Sequence, residues 1–229
     1  MRFVTATDFA ISEIRRLIVE QALPPGARID QTELADRLGV SRIPVRQALV
    51  HLAERGFVQL SAHRSARVAP ISVEDVSRLY ELRGRLEAWT LEDVVRHRTD
   101  EDLKYLDGLF ASSQQARRAG NVSEYMDINR EFHFTVFSIA RNDHLVRTVK
   151  SLFDVSERYQ WMYLSGGGMM QTSEMEHRDL LDAIVAQDLR AAQSVQAEHN
   201  RQTLLWVERF GGDLDNEEGK PAQLVREDS

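Results

Sequence analysis

Apolar residues recur every three or four positions along the first part of the chain, which is the spacing of one helix face. This pattern predicts a helix over residues 8–21, which Pro24-Pro25-Gly26 ends because proline cannot continue a helix and glycine permits a turn. A short helix is predicted over residues 32–38. Gly39 then suits a left-handed turn, and a longer helix runs from Ser41, a good N-cap, to about Arg55.

The pattern changes twice after that helix. Residues 57–70 are typical of two short strands joined by a polar, basic turn at residues 62–65. Beyond Pro70 the helical period returns and predicts six helices, near residues 72–96, 100–119, 122–140, 144–165, 171–187 and 189–210. The predicted fold is mainly α: a winged helix-turn-helix over residues 1–70 and an all-helical antiparallel bundle over 71–211. Residues 212–229 are acidic and poor in large apolar side chains, so we expect them to be disordered.

Composition excludes several classes of protein. The chain has 229 residues and no cysteine, which rules out a disulfide framework, a zinc finger and thiol catalysis. Only histidine, carboxylate or amide side chains are then available to hold a metal ion. No apolar run reaches the roughly 18 residues of a membrane span, and the first residues do not resemble a signal peptide. We therefore expect a soluble, cytoplasmic protein that makes no contact with a membrane.

Charge is distributed unevenly along the chain. The total is −7, yet residues 1–70 contain ten arginines against seven acidic residues. Residues 71–210 carry a net charge of −6 and the tail from Gly211 carries −4. A basic N-terminal module on an acidic body is the asymmetry expected when only one part of a protein meets phosphate groups.

The basic module has the parts of a DNA-docking unit, namely two short helices, a glycine turn and a strand pair. Ser41 and the first backbone amides of the second helix are placed to meet a phosphate group. Arg42 and Arg46 lie one turn apart, and bidentate arginine is the commonest specific contact to guanine. Arg64 and Arg67 in the strand pair are placed to reach the minor groove or backbone phosphates. The alternative is an ordinary helical hairpin with surface arginines.

The segment LPPGARIDQTELADRLGVSRIPVRQALVHLAERGFV resembles the DNA-binding domain of the GntR family of bacterial transcription regulators. The resemblance covers about residues 8–70. It implies that Arg42 and Arg46 are the recognition-helix arginines that touch bases and backbone. It also implies a DNA contact by Thr32 at the start of the preceding helix, and it includes Pro44 of the PVR motif among the interface residues.

Three of the seven histidines lie on the apolar faces of predicted helices. They are His133, His177 and His199, and Asn129 precedes His133 by one turn. A single inward histidine is usually a hydrogen-bonded core residue. Three of them in one small core need partners for their ring nitrogens, and a shared divalent metal ion would bind one nitrogen of each ring.

The second half of the chain resembles the FCD ligand-binding domain of the FadR branch of the same family. The matching segments are LYELRGRLE, NREFHFTV, EHRDLLDAIVAQD and AEHN. In metal-binding members, an Asp or Asn four residues before the first histidine completes the ligand set, which corresponds here to Asn129, His133, His177 and His199. Because the first position is a neutral amide, we expect weaker binding than with aspartate. Zinc is the ion expected, with nickel and manganese as alternatives.

The resemblance also implies the function. Effectors of the family are small carboxylates, and Arg83 is expected either to pair with the effector or to form a salt bridge with Glu87. We expect a homodimeric transcriptional regulator that is not an enzyme, bound to a pseudo-palindromic double-stranded DNA operator as a repressor and released by a small organic acid. The alternatives are a non-metal regulator that senses acyl-CoA and a metal-dependent hydrolase. The hydrolase is disfavoured because no inward acidic residue beside the histidines is an obvious general base, and because it would leave the DNA-binding motif without a role.

Overall fold

The computed structural model describes residues 5–61, 65–70, 72–165 and 169–216. Within them the chain forms nine helices, α1 to α9: Ala6–Val19, Gln31–Leu38, Arg42–Glu54, Val73–His97, Asp100–Arg118, Val122–Ser138, Asp143–Ser165, Met169–Val185 and Leu189–Asn216. Three strands, β1 (Arg28–Ile29), β2 (Val58–Leu60) and β3 (Ala66–Val68), form an antiparallel sheet in the order β1-β3-β2. The predicted mainly α fold is confirmed. No described helix is both long and apolar enough to cross a membrane.

Contacts within the chain separate Val73–Arg209 as a compact unit from the residues before it. We call this part the helical unit, and we call residues 5–72 the N-terminal unit. In the N-terminal unit, the side chain of Asp30 caps α2 by accepting hydrogen bonds from the backbone amides of Thr32 and Glu33. Gly39 ends α2 with φ +66°, the left-handed conformation that favours glycine and that the sequence predicts there.

The core of the N-terminal unit forms where α1 packs against α3. Ile14 from α1 meets the apolar side of α3, where Leu49 and Leu52 are fully buried. The opposite side of α3 is left on the surface. Strand β1 was not predicted, because two residues carry no readable alternation; its Arg28 is paired with Arg67 of β3.

The helical unit comprises α4 to α8 and α9 as far as Arg209, which correspond to the six helices predicted for it. Helix α4 packs against α7, and α5 packs against both α6 and α8. Large apolar side chains from five of these helices fill one continuous core, which includes Leu91, Leu106, Phe132, Val136, Phe137, Val149, Phe153, Leu180 and Ile184. Polar side chains buried beside this core form the candidate site.

The end of α9 differs from the prediction. Disorder was expected from residue 212, but α9 continues to Asn216. The helix passes Gly211 and Gly212 because glycine costs a helix only about 1 kcal/mol, which weakens a helix without forbidding it. The rest of the predicted tail, residues 217–229, lies outside the described residues, and so does most of the predicted turn between the two wing strands, residues 62–64.

Candidate functional site

The start of α3 presents basic and apolar side chains to solvent. Arg42 and Arg46, one turn apart, are both exposed, and the first turn of α3 contains no acidic residue. Ser41 precedes the helix in an extended conformation and makes no side-chain capping hydrogen bond, so its hydroxyl is not used inside the helix. Ile43 is 70% exposed, and an apolar side chain at such a position suits the methyl group of thymine. The arrangement offers hydrogen-bond donors, positive charge and a helix N-terminus to a polyanion.

The other residues predicted to contact DNA differ in their exposure to solvent. Thr32 is exposed at the start of α2. Pro44 is buried at the start of α3, so its side chain is not exposed as those of Arg42 and Arg46 are, and its contact with DNA stays a prediction. Arg67 is exposed, and one of its guanidinium N–H groups donates to the carbonyl oxygen of Gly26 at 3.0 Å. Arg64 lies outside the described residues. Arg28, exposed opposite Arg67, is a basic residue that the sequence pattern did not single out.

The three inward histidines converge in the helical unit. His133 of α6, His177 of α8 and His199 of α9 bring one ring nitrogen each to within 4.8 Å of the others. The Nε2 atoms of His133 and His177 are 3.1 Å apart, and the ring centroids of the three pairs lie 4.9–5.1 Å apart. His133 is completely buried and His177 is 3% exposed.

Burial also sets the charge state of two of the three histidines. It lowers the pKa of both His133 and His177 well below the ordinary histidine value, and the neighbouring imidazoles lower the pKa of each further. Neutral imidazole is the form that binds a metal ion, because its second nitrogen carries a free lone pair. These two rings therefore carry no charge that would repel a cation.

Glu176 orients the third histidine. Its Oε2 atom lies 2.6 Å from Nδ1 of His199, so that ring donates through Nδ1 and leaves Nε2 free for the cluster. Glu176 directly precedes His177 in the chain, and no pattern in the sequence indicates that it contacts a histidine of another helix. An acidic residue therefore does lie beside the histidines, on α8, although the sequence singles out none there as a general base. Its carboxylate oxygen is engaged by His199.

A chain of hydrogen bonds fixes which atom of Asn129 is free. The hydroxyl of Ser156 donates to the carbonyl oxygen of Phe153 at 2.7 Å, which uses its only hydrogen. Gln160 must therefore turn its NH₂ group to Ser156, at 2.9 Å, and its oxygen to Asn129. Asn129 donates to that oxygen at 3.2 Å. Its own Oδ1 atom is left buried, with no partner among the described residues.

Arg83 anchors the same hydrogen-bond chain from the other side. It is 1% exposed, donates to Ser156 at 2.6 Å, and pairs with the fully buried Glu87 at 2.8–2.9 Å. Its guanidinium lies 4.9 Å from the centroid of the Phe153 ring, whose centroid is 5.0 Å from that of His133. Of the two roles expected for Arg83, the structure shows the salt bridge with Glu87. The carboxylate of Glu87 neutralises the guanidinium in this structure, and a contact of Arg83 with the effector stays a prediction.

The donor set fits a divalent metal ion. Three imidazoles come from three helices, and the carbonyl oxygen of Asn129 is buried without a partner among the described residues. Unpaired buried atoms of this kind are rare in proteins and mark places where an ion, water or ligand binds. A surface cleft between α5, α6 and α7, lined by residues such as Glu131 and Lys150, contains none of these groups.

Comparison with known proteins divides the chain at the same place. Residues 6–68 match the family model described as bacterial regulatory proteins, gntR family. Residues 78–202 match the model of the FCD domain, which covers more than half of the chain and includes all three histidines.

Individual relatives are transcriptional regulators. The regulator YdhC of Bacillus subtilis is 26% identical over 82% of this chain and 85% of its own length. The Nta operon transcriptional regulator of Aminobacter aminovorans is 30% identical over 60% of this chain and 65% of its own. Among solved structures, McbR of Escherichia coli superposes with a TM-score of 0.76 at 22% identity, covering 91% of this chain and all of that one.

Proposed function

The chain belongs to the GntR family of bacterial regulatory proteins, in the branch that carries an FCD domain, and we propose that it represses transcription until a small carboxylate effector binds at a metal centre in the helical unit. Family membership makes it a DNA-binding transcriptional regulator with a ligand-binding domain. The observation that carries the metal centre is the convergence of His133, His177 and the partly buried His199. The buried oxygen of Asn129, one turn before His133, has no partner among the described residues.

We propose that His133, His177, His199 and Asn129 hold one divalent ion, with zinc as the first candidate and nickel or manganese as ions that the same donors accept. When bound, such an ion supplies a Lewis-acidic position that holds a carboxylate oxygen of the effector. Glu176 keeps His199 in the tautomer that a metal ligand needs. Because Glu176 is committed to that contact, and because the relatives are regulators, we propose that the site senses a ligand and does not catalyse hydrolysis.

Regulation then follows from linkage. An effector changes operator affinity only if it binds one arrangement of the protein better than another. Since the ligand atoms of the cluster lie on α6, α8 and α9, an effector held there joins three helices whose relative positions it can alter. We propose that the arrangement it favours binds the operator less tightly.

We propose that Arg42 and Arg46 read the operator, supported by their exposure at the open N-terminus of α3. Replacing Arg46 by alanine is expected to weaken specific binding by about 1–3 kcal/mol, the value of one bidentate arginine–guanine contact. Gel-shift titration at fixed salt measures the change. The matched control is Arg85→Ala, which removes an exposed arginine of α4 that pairs with Glu81. Equal affinity of the Arg46 variant and wild type would exclude this role for Arg46.

We propose that the regulator works as a homodimer, because one helix-turn-helix covers half of an operator and the two halves lie about one helical turn of DNA apart. A second copy is a suitable partner for the exposed apolar side of α4, where Leu82 is 47% and Trp89 55% exposed two turns apart. The double variant Leu82→Glu/Trp89→Glu is expected to be monomeric in light scattering and to bind the operator weakly. Val185→Glu, on α8, is the control. A double variant that stays dimeric would place the interface elsewhere.

A further inference from the structure

Two amide side chains of α9 face the Arg83–Glu87 pair from the opposite side to Ser156. Gln196 and Asn200 lie one turn apart and are 2% and 5% exposed. Both donate through their NH₂ groups to Oε2 of Glu87, at 3.1 and 2.5 Å.

The orientation of these amides is fixed by the charge that they contact. A carboxylate paired with a guanidinium accepts hydrogen bonds and has none to donate, so Gln196 and Asn200 must turn their NH₂ groups to Glu87. Their carbonyl oxygens then point away from it. Both oxygens are buried, and neither has a hydrogen-bond partner among the described residues.

The Arg83–Glu87 pair therefore determines which end of each nearby amide side chain is hydrogen-bonded, both on the Ser156 side and on the α9 side. Through Ser156 and Gln160 it leaves the oxygen of Asn129 unpaired, and through Glu87 it leaves those of Gln196 and Asn200 unpaired. Three carbonyl oxygens on two helices are left without donors. Burying such acceptors is unfavourable unless a donor reaches them.

We propose that the carbonyl oxygens of Gln196 and Asn200 form a subsite for hydroxyl groups of the effector, so that this regulator senses a hydroxylated acid and discriminates against the unsubstituted acid of the same length. The inference rests on the proposed function, since it names the chemical class of the ligand sensed by the helical unit. A carboxylate at this subsite would bring oxygen lone pairs against oxygen lone pairs. An ammonium group would be a buried charge without a counter-ion, because Glu87 is already neutralised by Arg83.

The test uses full-length, zinc-loaded protein and pairs of acids that differ only in hydroxyl groups, namely glycerate with propionate and tartrate with succinate. Calorimetric titration is expected to give at least about tenfold tighter binding for the hydroxylated member of one pair, the size of effect that follows when buried acceptors are left unpaired. Asn200→Leu, which is nearly isosteric, is expected to reduce that preference to about twofold or less. Gln193→Leu is the matched control, because it removes another amide of α9 that donates to α4, at the carbonyl oxygen of Ala88.

Each outcome decides the proposal. Equal binding within both pairs, binding of neither acid in either pair, or an unchanged preference in Asn200→Leu would overturn the hydroxyl subsite. Metal content and operator binding of the same preparations are measured in parallel. If the protein retains metal and binds the operator while the acids are not distinguished, the subsite fails and the proposed function stands. If it retains no metal, the metal content contradicts the proposed metal centre independently of the test of the subsite.

Discussion

Wild-type protein is expected to retain about one divalent ion per chain, and His177→Ala is expected to retain none and to lose the response to effector. His177 supplies one of three imidazoles that converge within 4.8 Å, and two imidazoles with a neutral amide form a much weaker site. Operator binding without effector is expected to stay within about twofold, because the DNA-binding residues belong to the N-terminal unit and His177 belongs to a separate compact unit. Elemental analysis and gel-shift titration measure the two effects.

Two further variants separate loss of a ligand from general damage. His144→Ala removes an exposed histidine that contacts Arg147 and is expected to change neither metal content nor the effector response. Glu176→Gln preserves the shape of the side chain that orients His199 and is expected to weaken metal affinity by about 10–100-fold. Wild-type protein that contains no metal, and whose melting temperature does not rise with zinc, nickel or manganese, would reduce the three histidines to an ordinary polar core.

The sequence predicted the helices well because local signals mark their ends. Pro24, Pro25, Gly26 and Gly39 interrupt the helical period in the N-terminal unit, and each predicted helix is present within a few residues of its expected bounds. Strand β1 was missed because a two-residue strand exists only through its pairing with β3. Helix α9 extends beyond its predicted end because the helix-propensity cost of two glycines is smaller than the stabilisation from the turns that precede them.

For the candidate site, the sequence predicts only which side chains lie on the buried face of each helix. The apolar neighbours of His133, His177 and His199 place each ring inward, and three inward rings in one bundle are brought together by packing. Glu176 was missed because its partner histidine belongs to another helix. The free oxygen of Asn129 depends on a hydrogen-bond chain through α7, and no spacing in the sequence encodes which end of an amide faces which neighbour.

The Arg83–Glu87 pair is expected to have the largest effect on stability among the ion pairs of α4. Arg83→Met removes the cation and leaves the carboxylate of Glu87 completely buried. An uncompensated buried charge typically costs about 3–5 kcal/mol, far more than the intact pair contributes. Urea unfolding followed by helical circular dichroism measures the free energy of unfolding. Arg85→Met is the matched control on the same helix; it breaks an exposed pair with Glu81 and is expected to cost about 0.5 kcal/mol or less.

The double variant Arg83→Met/Glu87→Gln distinguishes charge from shape. It removes both charges while the new amide still offers an oxygen to Gln196 and Asn200. If the isolated carboxylate is what destabilises Arg83→Met, the free energy of unfolding of the double variant is expected to exceed that of Arg83→Met by at least about 1 kcal/mol, although the double variant has one more substitution. If the two variants unfold alike, the cost comes from lost packing against Tyr80 and Phe153, which the guanidinium also contacts.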